Sequence, residues 1–215
     1  MSIDINECDI NNDYFHFTNK NNINSILNNG LIAQVGIASK LVDDRPNVSI
    51  SKGGKGIMGI INSFIYKFEN EMKISEIPEE YRKYFVEITD FEQNGVISRN
   101  VACNAMKRKL SDEVYFRVQP TKEQLEKAKI GGFTGYDINL PDSIGKNQLE
   151  IVTDANNKVL SALDVAKFVF EKAKNIEVFR NAHPEFFYMF ELEEKHIFNS
   201  NDNDLERWIR NYQSR

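Results

Sequence analysis

Three short segments of the sequence each carry a pair of polar side chains whose chemistry suits a small-molecule site. Within each segment the two polar residues are two positions apart: His16 and Thr18, Ser49 and Ser51, and Gln148 and Glu150. Side chains two positions apart on a β-strand share one face of the sheet, so each segment would present both polar groups to the same side. If the three faces converge, an imidazole and hydroxyls could hydrogen-bond a carboxamide or a ribose, and a carboxylate could stabilise developing positive charge.

The first pair lies in the local element that the sequence defines most clearly. Phe15 and Phe17 alternate with Tyr14, His16 and Thr18, and this pattern predicts a β-strand over residues 14 to 18 with the two phenylalanines on one face. Apolar residues then recur at helical spacing from residue 23 to residue 27. Asn19 or Asn21 is available as the N-cap of this helix, and Gly30 can end it.

The other two pairs are also predicted to lie on strands, within a chain that mixes strands and helices. Further strands are predicted at residues 47–51, 84–88, 114–118 and 148–153, and helices at residues 57–68, 122–129, 161–174 and 205–212. Residues 131 to 147 are predicted to form a glycine-rich loop that carries aromatic side chains. Residues 1 to 13 are polar and without periodicity, which predicts an N-terminal arm, and residues 14 to 215 are predicted to form a single α+β domain with a helical C-terminal portion.

Composition and charge exclude several classes of function. The formal net charge of −5 disfavours nucleic acid as a partner, and no segment has the roughly 20 consecutive apolar residues of a membrane-spanning helix. The acidic N-terminus lacks the pattern of a secretory signal, so we expect a cytoplasmic protein. Cys8 and Cys103 are expected to be free thiols, and the three histidines show no metal-ligand spacing, so no metal is expected.

Taken in chain order, the three segments resemble the ADP-ribosyltransferase-like fold family. The resemblance begins with the strand bearing His16 and Thr18 and the helix that ends in Gly-Leu at residues 30–31. It continues with the Ser-x-Ser of residues 49–51 and the Gln-x-Glu of residues 148–150. It implies an α+β fold with a split, mostly antiparallel β-sheet core and peripheral helices, in which NAD lies in a cleft between the sheet halves.

The resemblance also implies a role for each residue at the NAD site. His16 and Thr18 would hold the nicotinamide ribose, and Ser49 and Ser51 would shape the nicotinamide pocket. Glu150 would stabilise the oxocarbenium-like ribose as nicotinamide departs. The expected activity is therefore that of a toxin-like, bacterial-type mono-ADP-ribosyltransferase, with NAD as co-substrate.

The acceptor side of the reaction is assigned to other residues in the same way. Gln148 would help position the acceptor, and Phe133 or Tyr136, in the glycine-rich segment before Glu150, would contact it. We expect the acceptor to be a protein.

Two alternative functions stay open at this point. The chain could be a non-catalytic module that keeps the same fold and binds a protein partner. It could also act on a 2′-phosphorylated RNA end, as RNA 2′-phosphotransferase-like relatives do. The RNA reaction requires basic residues beside His16, for which Lys20, Lys52 and Lys55 are the nearby candidates, and the overall acidity disfavours it.

Overall fold

The computed structural model describes residues 1–34, 46–88, 95–131 and 136–198, with side chains described as far as residue 191. Phe133 and the helix predicted at residues 205 to 212 therefore lie outside the described residues. The described residues contain both helices and a mostly antiparallel sheet, and the predicted α+β class is confirmed.

Seven strands form one open, mostly antiparallel sheet. In chain order they are β1 (Ser2–Asp4), β2 (Tyr14–Asn19), β3 (Val48–Lys52), β4 (Glu113–Val118), β5 (Lys129–Gly131), β6 (Asp137–Leu140) and β7 (Leu149–Thr153). Across the sheet the order is β1-β7-β4-β2-β3-β6-β5, and every neighbouring pair is antiparallel except β1 with β7. The strand that carries His16 is therefore the neighbour of the strand that carries the two serines.

The pairing between β2 and β3 is much shorter than the strands themselves. β2 pairs with β4 through six residues, but its ladder with β3 consists of Tyr14 with Lys52 and Phe15 with Ser51. Beyond Phe15 the ladder between the two central strands stops, so His16 and Thr18 lie where the sheet is interrupted.

The first residues of the chain form part of the sheet rather than the predicted arm. β1 pairs in parallel with β7 at the edge of the sheet, and a short 3-10 helix, Ile5–Glu7, follows it. Ile3 and Ile5 are buried in the main core. Burial of these two isoleucines supplies the stabilisation that a free arm would lack.

Eight α-helices are described, and they cover the two faces of the sheet unequally. They are α1 (Ile23–Asn29), α2 (Gly53–Asn70), α3 (Glu79–Arg82), α4 (Arg99–Ser111), α5 (Lys122–Glu126), α6 (Ala162–Ala173), α7 (Glu177–Ala182) and α8 (Pro184–Phe198). Buried side chains of α2, α4, α6 and α8 form the larger core on one face, together with Phe15. We call this the helical face. Ile26 of α1 and apolar residues around Leu31 and Ile144 form a smaller core on the other face, which we call the α1 face.

Two further sequence-based predictions differ from the structure. Residues 84 to 88, predicted as a strand, form turns in which the adjacent Tyr84 and Phe85 are both buried, an arrangement that the alternating sides of a strand do not provide. The segment 131 to 147, predicted as a loop, contains β6, which pairs with the serine strand. Among the described residues, none of the helices has both the length and the apolar character needed to cross a membrane.

Candidate functional site at the junction of strands β2 and β3

The side chain of His16 bridges the gap that opens between β2 and β3. Its Nδ1 lies 2.9 Å from the backbone oxygen of Ser49, so the ring takes the place of a missing ladder hydrogen bond. Burial lowers the pKa of His16 below its ordinary value, and the hydrogen bond to Ser49 opposes that change. The imidazole is therefore neutral at pH 7, and with Nδ1 donating to a carbonyl its Nε2 is an acceptor.

Uncharged hydrogen-bonding groups continue from His16 across β3 to β6. The exposed hydroxyl of Ser49 donates to Asn139 Oδ1 at 2.8 Å and also lies 3.2 Å from Asn47 Oδ1. On β2, Thr18 Oγ1 accepts a hydrogen bond from Asn22 Nδ2 at 3.0 Å. Carboxamides and hydroxyls of this kind can both donate to and accept from a ribose or a carboxamide.

Ser51, the second serine of the strand, is a structural residue. It is 1% exposed, and its hydroxyl donates to the backbone oxygen of Phe15 at 3.3 Å. Helix α2 lies directly over it, because a Cβ at Gly56 would come within 2.6 Å of the Ser51 Cβ. The structure therefore leaves Ser51 no surface on which a ligand could bind.

The register of the sheet places Glu150 far from the serine strand. Ser51, Phe15, Arg117 and Glu150 are successive cross-strand partners, so Ser51 and Glu150 share the helical face but lie three strands apart. Three strand spacings amount to about 14 Å. His16, one position from Phe15, belongs to the α1 face. The three residues predicted to converge are thus not brought to one point.

Glu150 is instead the centre of an ionic cluster. Its Oε2 accepts hydrogen bonds from Arg117 Nε at 2.9 Å, from Arg117 Nη2, and from Gln119 Nε2 at 3.0 Å. Arg117 also lies 3.4 Å from a carboxylate oxygen of Asp13. Arg117 and Glu150 side chains are 19% and 18% exposed, respectively, so the pair is largely shielded from water. This cluster joins β4 and β7 to the segment that precedes β2.

Gln148 also serves the local structure. Its Nε2 donates to the backbone oxygen of Gln119 and to Gln124 Oε1, both at 2.9 Å, and its Oε1 accepts from the backbone N–H of Gly145 at 3.1 Å. These bonds fasten the start of β7 to the segment before α5. Each described polar atom of the Gln148 amide thus has a protein partner.

Two residues of β6 that the sequence did not identify lie beside the serine strand. Asp137 is the cross-strand partner of Ser51, and Asn139 is the partner of Ser49. Both are half-buried and share the helical face with the two serines. The available signal was the Asp-x-Asn alternation directly after the glycine-rich segment, which has the same spacing as Gln148 and Glu150.

A buried tyrosine on the helical face adds an unusual group near the junction. Tyr115, on β4, is fully buried, and its hydroxyl has no hydrogen-bond partner in the described part of the chain. Its ring packs on Phe17 with 5.1 Å between centroids. Burial raises its pKa, and the negative charges of Glu113 and Asp137 raise it further, so the hydroxyl keeps its proton. It is therefore a hydrogen-bond donor.

Of the two aromatic residues predicted to contact an acceptor, Tyr136 is described. Its backbone oxygen accepts a hydrogen bond from the Lys52 N–H at 3.0 Å, which fixes the start of β6 against the end of β3. Its ring lies 5.8 Å from the ammonium group of Lys55. Tyr136 thus lies close to the candidate site in sequence, one residue before Asp137.

The described residues contain no group of three or more histidine, cysteine, aspartate or glutamate side chains arranged to hold a metal ion. The junction carries uncharged hydrogen-bonding groups and one carboxylate on the two faces of the sheet: the His16 imidazole on the α1 face, and the Ser49 hydroxyl, the Asn139 amide and Asp137 on the helical face. Comparison with protein-family models, with curated protein sequences and with solved structures finds no match to this chain.

Proposed function

We propose that this chain binds NAD at the junction of β2 and β3 and transfers its ADP-ribose to an acceptor with release of nicotinamide. The observation that carries the proposal is the contact between His16 and the Ser49 carbonyl, which joins the His-x-Thr strand to the Ser-x-Ser strand across the gap in the sheet. The resemblance of these two strands to ADP-ribosyltransferase-like proteins supports the choice of NAD over other nucleotides.

The uncharged groups at the junction suit the ribose and carboxamide of the nicotinamide half. The Ser49 hydroxyl and the Asn139 amide, on the helical face with Asp137, can exchange hydrogen bonds with the ribose and the carboxamide. His16, on the α1 face, positions Ser49 through the backbone oxygen of that residue. In the reaction the bond between ribose C1′ and the nicotinamide nitrogen breaks, and its electron pair leaves with nicotinamide. The acceptor nucleophile then bonds to C1′ and loses its proton.

The step that needs a carboxylate is the build-up of positive charge on the ribose. The sequence suggested Glu150, but Arg117 binds its charge and about 14 Å separates it from the serine strand. Asp137 lies opposite Ser51 on the adjacent strand and is the carboxylate that we assign to this step. Glu150 is then a structural residue, which joins β7 to β4 through Arg117.

The proposal is tested by nicotinamide release from NAD, measured for wild type and for Asp137→Asn. We expect the substitution to lower kcat by at least about a hundredfold, as loss of an electrostatic stabiliser does. Asp142→Asn is the matched control, because Asp142 is an exposed carboxylate just beyond β6 that pairs with Lys127. Release at the wild-type rate by folded Asp137→Asn protein, or no NAD binding by calorimetry at millimolar NAD, would overturn the assignment.

One observation favours a second candidate, the non-catalytic binding module. The residue that contacts Ser49 is an asparagine, whose neutral amide cannot offset positive charge on a ribose. NAD binding that depends on His16 but never yields nicotinamide would identify this module. The RNA-end reaction has less support, because Lys20 is paired with Asp112 and only Lys52, of the three lysines considered, is on the α1 face with His16.

A further inference from the structure

A cavity of about 390 Å³ lies on the helical face, and none of the residues assigned to the junction of β2 and β3 lines it. It is bounded by residues 6 to 11 of the N-terminal segment, by the first turns of α2, by the last turns of α6 and by the start of α7. Its size is within the range of pockets that hold small organic ligands.

The floor of the cavity is apolar. Met58, Val169 and Ala173 are buried side chains that line it, and the half-buried Phe168 and Phe179 form part of its wall. The N-terminal segment closes one side, because the Gly54 N–H donates to the Ile10 oxygen at 2.6 Å. A ligand entering this cavity would therefore bury an apolar body.

Two exposed lysines stand at the rim, and aromatic rings hold them in place. The ammonium group of Lys55 lies 5.1 Å from the ring centroid of Phe179, and that of Lys172 lies 5.2 Å from the ring centroid of Phe168. Neither lysine forms an ion pair with a carboxylate among the described residues. An aromatic face positions a cation without cancelling its charge, so both charges stay available at the rim.

The remaining titratable groups of the lining leave the rim with a net positive charge. Burial, and after it the charge of Asp13, raises the pKa of Cys8 to about 11, so this thiol is neutral at pH 7. Asp9 is the acidic residue of the lining, and its carboxylate is bound by the Asn11 N–H at 3.0 Å and by Asn12 Nδ2 at 2.9 Å. Two cations thus face one carboxylate that already has its own donors.

We propose that this cavity binds a small amphipathic organic anion, with its apolar body on the floor and its carboxylate or phosphate group between Lys55 and Lys172. The site does not depend on NAD chemistry, because none of the residues assigned to the proposed reaction lines it. The junction, which carries a carboxylate and no lysine side chain assigned to the reaction, and the cationic cavity therefore select different ligands.

The test uses calorimetric titration of the full chain with 2-naphthoate and with 1-naphthyl phosphate, and with neutral 2-naphthalenemethanol for comparison. We expect both anions to bind and the neutral alcohol to bind at least roughly fivefold more weakly, the effect of one charge-assisted contact. The two anions distinguish a carboxylate ligand from a phosphate ligand, and tighter binding of either one supports the site.

Lysine variants locate the binding. Lys55→Gln and Lys172→Gln should each weaken the anions roughly fivefold. Lys158→Gln makes the same change of charge in the exposed turn after β7 and should leave the affinity unchanged. Equal affinities for all three variants, equal affinity for the neutral alcohol, or no binding at millimolar probe would each overturn the proposal. Circular dichroism of every variant verifies that the fold is intact.

Discussion

Substitution of Glu150 by glutamine gives the sharpest test of the role that the structure assigns to this residue. The amide is nearly isosteric with the carboxylate, so the change removes the charge and leaves the shape. Arg117 would keep its hydrogen-bond acceptor but lose its closest counter-ion, with Asp13 remaining at 3.4 Å.

The expected loss of stability follows from the hydrogen bonds that change character. Arg117 donates to Glu150 through Nε and Nη2 at part-buried positions, whereas the hydrogen bond from Gln119 is exposed and contributes less. A hydrogen bond to a charged acceptor contributes about 1 kcal/mol more than one to a neutral acceptor, so two such bonds predict a loss of about 2 kcal/mol. The pair is only 18–19% exposed, so screening by solvent reduces this value little. For a chain of this size the loss corresponds to a fall in Tm of about 4–8 °C.

Thermal unfolding followed by circular dichroism measures the effect, with Asp112→Asn as control. Asp112 forms ion pairs with Lys20 and Lys83, but its side chain is 38% exposed and those of the two lysines are 55% and 58% exposed. A pair of this kind contributes less than about 1 kcal/mol. A Tm for Glu150→Gln within about 1 °C of the Asp112→Asn value would refute the structural role and reopen the catalytic one, because 1 kcal/mol corresponds to about 2–4 °C in a chain of this size.

Three further predictions concern pH, backbone strain and thiol reactivity. Burial lowers the pKa of His16 in the folded state, so the unfolded chain binds the extra proton and the free energy of unfolding should fall as the pH drops below the ordinary value of 6.5. Denaturation measured between pH 5 and 7 should show that His16→Gln removes up to about 1.4 kcal/mol per pH unit of this slope. An unchanged slope would contradict the prediction. Gly30→Ala should lower the free energy of unfolding by more than about 1 kcal/mol in the same assay, because Gly30 has a φ of +80° and a Cβ there would lie 2.3 Å from a backbone oxygen. Gly145→Ala is the control and should change stability little, since the nearest atom to its Cβ would be 3.5 Å away. Equal effects of the two substitutions would show that Gly30 is not required by backbone strain. Burial raises the pKa of Cys8 to about 11 and that of Cys103 to about 12. At pH 8 both thiols should therefore react with Ellman's reagent more slowly than free cysteine until denaturant is added. Fast reaction of the native protein would contradict this prediction.

The local elements around the first motif could be predicted because their signals are local. The alternation of β2 and the stop at Gly30 are read from neighbouring residues, and the structure confirms both. The helix predicted at residues 57–68 is also confirmed as part of α2, although it begins earlier, at Gly53. Its first turn contains three glycines, which carry no apolar side chain that would show helical periodicity.

The relation between the motifs could not be predicted, because it depends on pairing between distant strands. The alternation along a strand shows which of its own residues share a face of the sheet. It does not show which residues of another strand lie on that same face. The pairing of Phe15 with Ser51 puts the serines on the helical face and His16 on the α1 face. A register shifted by one residue would have placed them together, and the alternation of the two strands does not exclude that register.

The same reasoning explains why the choice of carboxylate changes once the sheet is known. Spacing along the chain made Glu150 conspicuous, because it follows Gln148 at the interval that a strand face requires. A carboxylate can stabilise charge on a ligand only where the ligand lies. Three strands separate Glu150 from Ser51. Asp137 is one strand from the serines, so position in the sheet favours it over the residue that spacing along the chain had selected.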